Sequence, residues 1–118
     1  MLRKMTDREE RLLRVLAAAV PELGLDADWP HGLLVEPLDD VGMRSLLLSR
    51  RECLAHPIAG LVFTDVDGVP VDVVLLVDDD GIPAELDVWK VDDTPLIEVP
   101  IDLPAVRRYP RADLLRDE

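Results

Sequence analysis

At 118 residues and 13.2 kDa the chain has the size of one domain, and roughly two-thirds of its extended surface can be buried in one core. Thirteen Lys and Arg against 25 Asp and Glu leave a net charge of −12, which argues against nucleic-acid binding through a basic face; 48% apolar residues argue against disorder. Cys53 alone permits no internal disulfide, and the charged N-terminal stretch contains neither a signal-peptide core nor the ~20 apolar residues of a membrane span, so a cytoplasmic location away from membranes is expected.

The first element is a helix over residues 6–20. Thr6-Asp7-Arg8-Glu9 has the spacing of a capping box, in which Thr6 and Glu9 satisfy each other's free amides. Asp7, Glu9 and Glu10 fall in the first turn, where the helix dipole favours carboxylates. Leu12, Leu13, Leu16, Ala19 and Val20 recur at spacings of three and four and form a core-facing stripe; Pro21 and Gly24 end it. Residues 21–32 are dense in turn formers and predict an irregular connection.

From residue 33 to 99 the period shortens to that of strands. Leu33–Leu38, Met43–Ser49, Ile58–Thr64, Val69–Val77, Ala84–Val91 and Leu96–Val99 are the candidates. Asp39-Asp40-Val41-Gly42, Asp65-Val66-Asp67-Gly68 and Asp78-Asp79-Asp80-Gly81 separate them, each closed by a glycine able to take positive φ. The expected fold is therefore α+β: an N-terminal helix packed on an antiparallel β-meander of four to six strands. Residues 100–118, with Pro100, Pro104 and Pro110, predict a C-terminal wrap and tail completing a single domain of residues 1–118.

Acidity is concentrated in this sheet. Residues 60–105 hold twelve carboxylates against Lys90, a net of −11 out of −12. The Asp-rich turns invite comparison with a calcium loop. With Gly81 at the sixth position the first is Leu76 and the twelfth Asp87; with Gly68 there, they are Phe63 and Val74. Both registers lack the opening ligand and the bidentate Glu of an EF-hand, so the turns are expected to be structural and no metal or cofactor is expected. Cys53-Leu54-Ala55-His56 offers two zinc ligands by spacing, but no second pair completes four. Ser45 and Ser49 lack a nucleophile elbow, and no glycine-rich phosphate loop is present.

Glu85-Leu86-Asp87-Val88-Trp89-Lys90-Val91 is the most informative run. As a strand it sets Leu86 and Val88 on one face and Glu85, Asp87 and Trp89 on the other. Trp89 among carboxylates reads either as an interface anchor or as a ring packed under the C-terminal wrap, its N–H meeting a carbonyl or an Asp. Together with Asp92, Thr94, Pro95 and Leu96, this run resembles the "ELDxWKxDFSPL" signature of a small bacterial family known only as a domain of unknown function. That family also tends to open with "RxLTxxE" and to carry a "DGGMGSL" turn, here Arg3–Glu9 and Asp39–Leu46. This chain departs at Val41, Arg44 and Asp93, where the family usually shows Gly, Gly and Phe. The resemblance implies a domain outline over residues 1–99 and no activity.

Two functions are compatible with these residues. The first is a non-enzymatic acidic protein-binding domain, most concretely an immunity-type inhibitor of a basic toxin such as a nuclease. It would present Asp67, Asp78, Asp79, Asp80, Glu85 and Asp87 to a basic partner, with Trp89 as apolar anchor. The second is a small metal-dependent hydrolase using the Asp-rich turns, which lacks a nucleophile or base motif. An acidic surface serving solubility alone is the third account. Oligomeric state is not encoded in any of these patterns.

Overall fold

A computed structural model describes residues 1–38, 42–49 and 54–114. Helix α1 runs Asp7–Ala18, and both halves of the capping box are made: the Glu9 amide donates to Thr6 Oγ1 at 3.2 Å, and the Thr6 amide to Glu9 Oε1 at 2.9 Å. Leu12, Leu13, Leu16 and Val20 are buried as the stripe requires. A single 3₁₀ turn, Pro21–Leu23, follows α1, and Gly24 at φ 65° ends it.

The strands are β1 Arg3–Lys4, β2 Leu34–Pro37, β3 Leu46–Leu47, β4 His56–Thr64, β5 Pro70–Val77, β6 Pro83–Lys90 and β7 Arg107–Arg108; a short helix α2, Pro110–Leu114, follows. All pairings are antiparallel, and the spatial order is β1-β2-β3-β6-β5-β4-β7. The α+β class is as expected, but the expected meander of four to six strands is corrected to one sheet of seven among the described residues. Among the described residues, only β4–β5–β6 is a run of consecutive hairpins. β1 and β7 are two-residue strands made of Arg and Lys, too short for a period of two to be visible. Leu96–Val99, expected as a strand, belongs to no ladder. Its Ile97 and Glu98 amides donate instead to the Asp65 carboxylate, at 2.8 and 3.2 Å.

Registers assign two faces to the sheet. On one, Ala59–Leu75–Leu86–Leu46, Leu61–Val73–Val88 and Phe63–Val71–Lys90 lie in rows across the strands and are buried with the α1 stripe in one hydrophobic cluster, Lys90 excepted. The opposite face carries Val62–Asp72–Trp89, Gly60–Val74–Asp87 and Leu76–Glu85–Leu47. In the C-terminal segment β7 extends β4 at Ala59 and Gly60, and Ala112 of α2 is fully buried.

Candidate functional site

The two long Asp turns are built from inside. In the β4–β5 turn, Asp65 is 3% exposed and accepts from the Val66, Ile97 and Glu98 amides and from Lys90 Nζ at 2.9 Å. Lys90 has no exposed surface and also donates to Asp67 Oδ2 at 2.6 Å and to the Pro95 carbonyl at 3.3 Å. Burial acts to raise the Asp65 pKa, but the Ile97 amide, the Lys90 ammonium and the Val66 and Glu98 amides bring it down to about 2. Burial acts to lower the Lys90 pKa; the two carboxylates outweigh it and raise the value above that of an ordinary lysine. Cross-linked in this way, the turn holds the 95–98 segment against the end of the sheet.

In the β5–β6 turn Asp78 is 1% exposed, and its Oδ1 accepts from the Asp80 and Ile82 amides at 2.8 and 3.0 Å. Of the carboxylates assigned to a partner by sequence, then, Asp67 and Asp78 are engaged within the fold. Asp79 is exposed and pairs with His56 Nε2 at 2.6 Å, with Arg111 3.7 Å away; Asp80 is exposed at the same tip. His56 therefore finds a carboxylate, while Cys53, the other half of the zinc spacing, lies outside the described residues, as do Asp39, Asp40 and Val41. Among the described residues no three His, Cys, Asp or Glu side chains are grouped to hold a metal ion.

The remaining three sequence-assigned residues converge. Glu85, Asp87 and Trp89 do share the sheet face away from α1, alternating with buried Leu86, Val88 and Lys90. Their neighbours across the strands are Leu76, Val74 and Asp72, and Val62 completes the row through Asp72. Trp89 is 48% exposed and Val62 52%, so this face is not sealed by the C-terminal segment. The indole N–H donates to Asp93 Oδ1 at 2.9 Å. A carboxylate partner for the N–H was one of the sequence alternatives, but the ring is not under the wrap. Asp93 holds the left-handed conformation, φ 62°, that short polar side chains tolerate.

Sequence reasoning missed three contributors. Asp72 sits opposite Trp89 in β5, and its Oδ1 is buried and accepts no hydrogen bond among the described residues. Alternation within Val71-Asp72-Val73 places it on the open face, a signal obscured by the surrounding valines. Arg107 and Tyr109 border the face beyond Gly60; the guanidinium lies over the Tyr109 ring, 4.7 Å from its centroid.

No helix is long and apolar enough to cross a membrane among the described residues. A family profile described as "Domain of unknown function (DUF6984)" matches residues 2–100, and the chain belongs to that family. No curated protein and no solved structure matches it.

Proposed function

We propose that the chain is a non-enzymatic protein-binding domain whose contact surface is the open sheet face, and that its partner is cationic. The observation supporting this reading is the half-exposed Trp89, set in a row with Val62 and Asp72 and flanked by Val74, Leu76, Asp87 and Glu85. An aromatic anchor with aliphatic neighbours and a carboxylate surround has the composition of a binding patch. Two copies of this face would oppose carboxylate to carboxylate, so charge favours a basic partner over self-association.

An immunity-type inhibitor of a basic toxin, such as a nuclease, is the most concrete form of this function. The Asp79–Asp80 tip at the end of β5 would extend the acidic field that steers the encounter, while the Trp89 row would set residence time. The test is whether a basic toxin is encoded next to this gene and whether the chain binds and inhibits it. Binding should show an association rate falling ~10-fold or more from low to high salt. Asp87→Lys should slow association, and Trp89→Ala should mainly speed dissociation. A neighbouring toxin that is neither bound nor inhibited would sink the immunity reading.

A further inference from the structure

We infer that the open face holds a recognition site for an arginine side chain, between the Trp89 ring and the Asp72 carboxylate. This rests on the reading of that face as a partner surface. Asp72 and Trp89 are directly opposed on β5 and β6, a relationship that brings their side chains within contact distance on one face. The single polar group of the indole is already engaged by Asp93, so what Trp89 offers a partner is its ring. Beside it, Asp72 Oδ1 is removed from water without a donor among the described residues. A buried acceptor left unsatisfied destabilises the free protein, and carboxylate oxygens in folded proteins are rarely left in that state.

What both groups lack is a flat donor that is also a cation. A guanidinium fits: it stacks on an indole face through its delocalised plane and donates along its edge to a carboxylate. Oδ1 has no accessible surface, so an arriving donor meets the other oxygen of this part-buried side chain, and the soft terminal torsion of Asp lets the carboxylate re-aim as it binds. Asp87, two residues before Trp89 on the same face, adds a second acceptor for a fork with five N–H groups. A lysine ammonium supplies the charge but neither the plane nor the fork, and it is more strongly hydrated.

Nuclear magnetic resonance titration with N-acetyl-arginine-N-methylamide, and with its lysine counterpart, tests the site. The arginine probe should shift the Trp89 indole N–H resonance in a saturable way, with at least threefold tighter binding than the lysine probe. Asp72→Asn should weaken the arginine response at least fivefold. Asp72→Thr should abolish the selectivity and raise the Tm of the free protein, because it removes the unsatisfied oxygen from a strand position. Equal responses to the two probes, an arginine titration unchanged by Asp72→Asn, or a lowered Tm for Asp72→Thr would each overturn the assignment. The two readings fail separately. Arginine selectivity without toxin binding removes only the immunity reading, whereas salt-dependent toxin binding without arginine selectivity removes only this site.

Discussion

Lys90 Nζ lies 2.9 Å from Asp65 Oδ2, and neither side chain has any exposed surface. The pair tolerates burial because Asp65 also collects three backbone amides and Lys90 a second carboxylate and a carbonyl. Removing one member leaves a buried charge and free amides behind. Asp65→Ala should therefore cost ~3–5 kcal/mol in urea unfolding. A loss below ~1 kcal/mol would mean that water replaces the carboxylate at the Ile97 and Glu98 amides.

Acid should undo the same contact. The Asp65 value of about 2 in the folded chain lies below the ordinary 3.8, so on acidification the unfolded chain binds its proton first. This contribution is complete above about pH 5 and is lost as the pH falls toward 2. Glu9 acts in the same direction: burial alone would raise its pKa, but the Arg3 guanidinium and the Thr6 amide lower it. Urea midpoints measured from pH 7 to pH 2 should fall along this leg, and Asp65→Asn should flatten it. A leg of equal steepness in the variant would assign the acid sensitivity to other carboxylates.

On the helix, Leu16 has no exposed surface, and Leu16→Ala should cost ~2–5 kcal/mol by opening a cavity against the sheet. Thr6→Ala removes one half of the capping box and should cost ~1 kcal/mol. Equal and negligible losses in urea melts would mean that α1 does not dock on β4 and β5.

Gly42 and Gly68 share a positive φ, 82° and 84°, but differ in their surroundings. A Cβ on Gly42 would come within 2.8 Å of Pro95 Cβ, whereas one on Gly68 would meet nothing within 4 Å. Gly68→Ala should therefore cost only the left-handed penalty of ~1–2 kcal/mol. Gly42→Ala should cost more, because the turn must also retreat from Pro95. Thermal melts giving the two variants the same Tm would show that the Pro95 segment yields without loss.

The parts of this fold visible in sequence are those with a repeated local signal. The capping box and three-four stripe located α1 to within two residues, and alternation located the middle of β4, β5 and β6. What escaped depends on pairing between distant residues. Leu96–Val99 has the composition of a strand, yet its amides are taken by a side chain 32 positions earlier. Lys90 continues the Leu86–Val88 parity into the core, so its burial was legible by counting in twos; its charge concealed the point. Asp67 and Asp78 looked like surface acids for the same reason. A turn aspartate bonded inward and one facing a partner have the same local sequence. Glu85, Asp87 and Trp89 were placed on the right face because strand parity alone decides it.

Leu46 and Leu47 leave the ribosome long before Glu85 and Leu86, the residues that join β3 to the sheet. At ~5–20 residues per second that interval is about 2–8 seconds. Until β6 emerges, β1, β2 and β3 can pair only with one another and lack the strand that ties them to β4 and β5, and the α1 stripe waits for β4 and β5. The β4–β5–β6 hairpins are therefore the template on which the N-terminal strands settle after most of the chain has been made.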